Sequence, residues 1–164
     1  IIMKIGVISD THVPERAIGL PSVVLEAFKH VDMVIHAGDL VDLGVLSELS
    51  KVCNKVIAVR GNMDEAGDHS RLPQKEIIRV NNYKIGVMHG WGHPNKLKDL
   101  LSDEFKNDDV DVIIFGHSHI PLSEKIGRTL FFNPGSPTDK IFAPYNSYGI
   151  IEITDKIEAK IVRI

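Results

Sequence analysis

The chain has 164 residues, 43% of them apolar and 25% charged, with a formal net charge of −3 and a single cysteine. That length suits one domain with its own core, and the mildly acidic balance without a long basic run excludes strong nonspecific attraction to nucleic acid or an anionic membrane. One cysteine, Cys53, excludes an internal disulfide, no apolar stretch is long enough to span a bilayer, and the start, IIMKIGVIS, reads as a strand rather than a secretory signal. A cytoplasmic protein with no membrane partner is the expectation.

In chain order, residues 4–9 make the first expected strand, apolar on both faces and therefore buried on both. A helix is expected over 21–29, with Leu20, Val23, Val24, Ala27 and Phe28 as its inward stripe and Pro21 at its first turn. A second buried strand spans 33–37. A second helix spans 43–51, with Leu43, Leu46 and Leu49 on one face, and a third strand covers 55–60. This βαβαβ order implies right-handed crossovers and a parallel sheet with helices on its face. The middle changes character. Residues 75–80 and 83–88 flank Asn81-Asn82 and read as a β-hairpin. A helix over 95–105 turns Leu97, Leu100, Leu101 and Phe105 inward, and a buried strand follows over 112–115. The remainder is β-rich, with strands at 122–126, 129–133, 148–154 and 157–164. The natural arrangement is two sheets face to face with helices outside, an α/β fold in the form of a four-layer α/β/β/α sandwich occupying residues 1–164 as one domain.

Five apolar runs end in glycine, a metal-competent side chain, or both: Asp10-Thr11-His12, Gly38-Asp39, Gly61-Asn62, His89-Gly90 and Gly116-His117-Ser118-His119. In open α/β sheets ligands bind beyond the carboxyl ends of the strands, where all five lie. Taken singly, each has a plain structural explanation, as a turn aspartate, a Gly-Asn turn or a hydrogen-bonded histidine. Packing gives no reason for Asp10, His12, Asp39, Asn62, His89, His117 and His119 to recur at five successive strand ends. Seven nitrogen and oxygen donors exceed the needs of one tetrahedral ion. A bridging Asp39 carboxylate would give four donors to each of two ions. No thiolate joins them, so an iron–sulfur or cysteine–zinc site is excluded.

In these motifs the chain resembles the calcineurin-like metallophosphoesterase superfamily, whose D-x-H, GD, GN, H and GHxH segments all occur here in order. It is more narrowly similar to the small single-domain phosphodiesterases of bacteria and archaea, which share the GNxD form seen at Gly61–Asp64 and the segment Asn133-Pro134-Gly135-Ser136. The resemblance implies one ion held by Asp10, His12, Asp39 and His119, and another held by Asp39, Asn62, His89 and His117. Mn²⁺ is the first expectation, with Ni²⁺, Fe²⁺ and Zn²⁺ as alternatives. It further implies hydrolysis of a small phosphodiester by a hydroxide bridging the metals, with Asn62 stabilising charge on the phosphoryl oxygens.

Two departures matter. Many relatives carry His immediately after the asparagine, as the acid for the leaving group, and here that position is Met63. The fourth motif reads His89-Gly90-Trp91-Gly92-His93 where many relatives have HGH. Candidate acids are then His93, a metal-bound water, or a protonated Asp64. Trp91 is a candidate to pack beside the metals or stack on a base, His36 to orient a ligand from beneath the Asp39 turn, and Arg60 and Arg71 to contact phosphate. The polar stretch 64–73 is a candidate substrate wall, and 134–145, with Phe142 and Tyr145, a pocket lining or subunit contact. A homodimer or higher homo-oligomer is compatible with the family; a stable nucleic-acid partner is not expected. Two alternatives stay open: a non-catalytic scaffold, as in the similar retromer subunit of eukaryotes, and a nuclease or nucleotide-processing phosphoesterase.

Overall fold

In the computed structural model, which describes residues 1–64 and 71–164, two five-stranded sheets stack face to face. The first has the order β10-β9-β1-β2-β3 and contains β1 (Met3–Ile8), β2 (Met33–His36), β3 (Val56–Ala58), β9 (Ser147–Ile153) and β10 (Ile157–Arg163). The second has the order β4-β5-β6-β8-β7 and contains β4 (Lys75–Val80), β5 (Tyr83–Met88), β6 (Val112–Ile114), β7 (Leu122–Ile126) and β8 (Thr129–Asn133). Helices α1 (Ser22–Phe28) and α2 (Gly44–Val52) cover the first sheet, and α3 (Leu97–Glu104) covers the second. The four layers expected from the sequence are all present.

The layering follows from the two-residue period of strand side chains. On β1, Ile5 and Val7 face the space between the sheets, while Ile8 meets Val24, Phe28 and Leu49 from the helices. On β6, Val112 and Ile114 face the same central space and Ile113 turns outward to Leu101 and Phe105. Helices α1 and α3 are shorter than expected, α2 is shifted by one residue, and α1 and α2 turn somewhat different faces inward. Val23 is 50% exposed, and the inward stripe of α1 is Val24, Ala27 and Phe28 with Leu25 beside it. Residues i and i+4 share a face, so Val24 and Phe28 fix the orientation and carry Val23 toward solvent. On α2 the same spacing buries Val45 and Leu49.

Strands β1, β2 and β3 run parallel, as do β5, β6 and β8. Their carboxyl ends therefore open on one rim in each sheet. The two rims meet: His89 Nδ1, after β5, donates to Ala37 O (2.7 Å), after β2, and His117 N, from the loop after β6, donates to Asp10 Oδ2 (3.1 Å), after β1.

Candidate metal centre

The rim loops hold their side chains with unusual backbone. Asp10, His12, Asp39, His117 and His119 all have positive φ, between 43° and 71°. Left-handed backbone costs a non-glycine residue about 1–2 kcal/mol, and such residues cluster where function over-determines geometry. Their neighbours explain why they stay. Asp39 and Gly61 approach so closely that a Cβ on Gly61 would overlap Asp39 Oδ1, and a Cβ on Gly116 would lie 2.6 Å from Asp10 Oδ2. A larger residue at Gly61 would push apart the loops after β2 and β3, and one at Gly116 would push apart the loops of the two sheets.

Asp10 is fully buried. Its Oδ2 accepts from Ser9 Oγ (2.8 Å) and His117 N (3.1 Å), while Oδ1 has no hydrogen-bond partner among the described residues. Around that oxygen stand His119 Nε2 at 3.3 Å, His89 Nε2 at 3.7 Å and His12 Nε2 at 3.9 Å. Asp39 Oδ1 accepts from Met63 N (2.9 Å), and its Oδ2 lies 3.2 Å from His89 Nε2 and 3.6 Å from His12 Nε2. The Nε2 atoms of His12 and His89 are likewise buried and unpartnered among the described residues.

Apart from His89 Nε2–Asp39 Oδ2, these separations are longer than those of good hydrogen bonds. Donors placed tetrahedrally about 2.1 Å from one ion stand about 3.4 Å apart, which fits them. Two groups satisfy that spacing, Asp10–His12–His119 and Asp10–Asp39–His89. Three orphaned buried polar atoms would each cost free energy in a protein core, and a cation in each group would satisfy them, His12 in one, His89 in the other and Asp10 in both. The residues present therefore fit a divalent metal.

The ring orientations agree. His89 Nδ1 donates to Ala37 O (2.7 Å) and His119 Nδ1 donates to Asp139 Oδ2 (2.5 Å), so both rings offer Nε2 to the centre. Without a cation the cluster holds protons instead. Burial would lower His89, but Asp10 and Asp39 outweigh it and raise it to about 9. Burial likewise opposes His119, which Asp10 and Asp139 raise to about 9. Burial would raise Asp10, yet His89, His119 and His12 hold its carboxyl far below the ordinary range; Asp39 is lowered against its own burial by His89 and the Met63 N–H.

The calcineurin-like phosphoesterase superfamily domain matches residues 3–156 of this sequence. The chain belongs to that superfamily. A probable metallophosphoesterase of Methanocaldococcus jannaschii is 43% identical over 99% of this chain and 82% of its own length. A second protein of that organism, named a phosphodiesterase, is 31% identical over 81% of this chain and 83% of its own. Among solved structures, wild-type Vps29 of Entamoeba histolytica complexed with Zn²⁺ superposes with a TM-score of 0.77 at 29% identity, covering 98% of this chain and 99% of that one.

In this calcineurin-like phosphoesterase, five of the seven expected ligands converge: Asp10, His12, Asp39, His89 and His119. Asn62 and His117 stand beside them, paired with each other. His117 Nδ1 lies 3.2 Å from Asn62 Oδ1, and its Nε2 donates to Gly92 O at 2.8 Å. Asp10 Oδ1 sits among three imidazoles and belongs to both groups, a sharing that strand-end motifs do not reveal.

Both candidate acids have backbone partners. Asp64 is fully buried, and its two oxygens accept from Gly61 N (2.9 Å), Leu40 N (3.2 Å) and Val41 N (2.9 Å). It ties the Asp39 turn to the Asn62 turn. His93 is exposed, and its Nδ1 accepts from Asn95 N (3.2 Å), capping the 3-10 turn Pro94–Lys96. Trp91, 40% exposed, lines a recess of about 230 Å³ with Arg60, Asn62, Gln74 and His89. Of the expected polar wall, 65–70 lie outside the described residues.

Several supporting residues escaped sequence reasoning. Asp139, buried in the 134–145 segment, orients His119 and accepts from Ile141, Phe142 and Ala143 N–H groups. Ser136 Oγ donates to Asp10 O (2.8 Å) and Thr138 Oγ1 to Thr11 O (2.7 Å), while Asn133 Nδ2 donates to Gly116 O (3.0 Å). The Asn-Pro-Gly-Ser segment thus braces the metal loops of both sheets. His36, as expected, lies beneath the Asp39 turn: Nδ1 accepts from Gly38 N (3.1 Å), so Nε2–H faces Thr11 Oγ1 (3.0 Å), and burial lowers it to about 4.

Proposed function

We propose that the chain is a phosphodiesterase that binds two divalent cations, Mn²⁺ first among them, and hydrolyses a small phosphodiester. The observation carrying this reading is the convergence of three buried, unpartnered polar atoms, Asp10 Oδ1, His12 Nε2 and His89 Nε2. Asp10, His12 and His119 would hold one ion. Asp39 and His89 would hold the other, with Asn62 and His117 joining once their mutual contact is released. Bound divalent ions supply Lewis acidity toward phosphoryl oxygens and acidify water.

The chain's own residues do the rest. His12, Asp39, Asn62, His117 and His119 line an open cleft of about 330 Å³. Asn62, exposed there, can donate its amide N–H groups to a phosphoryl oxygen. The same cleft carries one guanidinium, Arg16, and two carboxylates, Glu15 and Asp39. With a single guanidinium to meet phosphoryl oxygens, a singly charged diester is easier to accommodate than a doubly charged monoester. Met63 places a thioether where an acid would stand, so rates should depend strongly on how good the leaving group is.

The test begins with chelated protein, shown by circular dichroism to remain folded. Reloading with Mn²⁺ or Ni²⁺ is expected to restore hydrolysis of bis(p-nitrophenyl) phosphate well above that of p-nitrophenyl phosphate, with elemental analysis giving two ions per chain. Loaded protein that turns over neither ester defeats the enzymatic reading and favours a scaffold.

A further inference from the structure

One wall of the cleft does not follow from metal binding or phosphate contact. Phe142 is 66% exposed and Met63 47%, and both line the same 330 Å³ cleft as the imidazoles. Two large apolar side chains exposed in one cleft, rather than scattered singly over the surface, point to a contact surface. Phe142 is also held in place. Its N–H donates to the buried Asp139 Oδ2 (3.0 Å), and the flanking Ile141 and Ala143 N–H groups donate to the same carboxylate at 3.0 and 3.1 Å. Its ring meets His119 edge-on, with centroids 5.9 Å apart, and the Arg16 guanidinium carbon lies 5.9 Å from the ring centroid. A single carboxylate thus fixes both a candidate metal ligand and an aromatic platform next to it.

We infer that Phe142, with Met63 and Arg16, forms a subsite for a planar aromatic substituent, a nucleobase or aryl group, carried on the phosphoester. The inference rests on the phosphoester reading above and adds the substrate class. A preordered aromatic face favours binding because little ordering is left to be done, and base–aromatic stacking tolerates any base since each has a π-face. The cleft volume lies at the low end for ligand sites. It suits one nucleoside-sized group and excludes a longer polynucleotide.

Equilibrium dialysis of Mn²⁺-loaded protein against AMP and ribose 5-phosphate separates the claims, because the two share a phosphate and a sugar and differ in the base. AMP is expected to bind about tenfold more tightly. Phe142→Ala should abolish that preference while leaving ribose 5-phosphate binding unchanged, and Phe142→Trp should keep it. The ring is exposed, so truncation leaves the core intact; an unchanged melting temperature checks this. Phenylphosphonate, whose carbon–phosphorus bond is not hydrolysed, should displace AMP better than methylphosphonate does, and equal competition counts against the platform. Equal affinity for AMP and ribose 5-phosphate, or a preference that survives Phe142→Ala, overturns the subsite while leaving the phosphoester reading standing. Failure of both ligands to bind overturns the subsite too, and the phosphoester reading then rests on turnover of bis(p-nitrophenyl) phosphate.

Discussion

The proton load of the cluster makes a prediction about stability. In metal-free protein, His89 and His119 sit near 9 against an ordinary value of 6.5. A histidine raised on folding stabilises the fold below its unfolded value, and that contribution is lost as pH rises through the folded value. His36 works in the opposite sense. Burial lowers it to about 4, so stability is lost as pH falls from 6.5 toward 4. Together these place the stability maximum of the chelated protein near pH 6.5. For His89, the gap between 6.5 and about 9 corresponds to about 3 kcal/mol at 1.36 kcal/mol per pH unit. His119 leans on the same Asp10, so the two contributions do not add in full. A loss of about 3 kcal/mol lowers the melting temperature of a chain this size by about 6–12 °C. Scanning calorimetry from pH 5 to 9 in chelator should show that fall above pH 6.5. With Mn²⁺ the fall should vanish, because a cation competes with protons for Nε2 and binds more tightly as pH rises. A chelated protein whose melting temperature is flat or rising between pH 6.5 and 9 refutes the placement of protonated imidazoles on Asp10.

Three substitutions extend the reasoning. Asp64→Ala strands two buried backbone N–H groups, of Leu40 and Gly61, at about 1–3 kcal/mol each, and a partly buried one of Val41, and calorimetry should show a melting temperature at least about 4 °C lower; an unchanged value would mean Asp64 does not brace the loops. Met63→His supplies an imidazole at the cleft, and the ratio of alkyl to nitrophenyl diester turnover should rise at least about tenfold, within the range of acid catalysis; an unchanged ratio in metal-loaded, folded protein refutes leaving-group dependence. Asp139→Asn removes the carboxylate on His119 Nδ1, and titration calorimetry should show about 10–100-fold weaker binding at one metal site, with the other site little changed.

The layers were legible because the central strands are short, largely apolar runs, and the hairpin because Asn81-Asn82 separates two strand-like runs. Helix faces were less so. Val23 and Val24 are equally apolar, and only the packing of Phe28 and Leu49 under α1 and α2 decides which turns inward. The five converging ligands could be listed from strand ends, since parallel strands must finish on one rim. What strand ends cannot convey is pairing: Asp10 shared between two groups, or His117 engaged by Gly92 O and Asn62. Asp64 looked catalytic because a carboxylate beside a metal motif has the right chemistry. Its three backbone partners come from two separate turns, and no local pattern announces them. Phe142 could be singled out in the 134–145 segment as an aromatic candidate for a pocket lining, but Asp139 could not, because its role arises from contact with His119, 20 positions away, and from the turn it holds at Ile141, Phe142 and Ala143.

The central proposition is that Asp10 and Asp39 gather imidazoles around a pair of cations. Crystals grown with Mn²⁺ and measured above the manganese edge test it directly. Two anomalous peaks are expected, one among Asp10, His12 and His119 and the other among Asp39, His89 and Asp10. No peak there in loaded crystals, or manganese bound only elsewhere on the molecule, would contradict it.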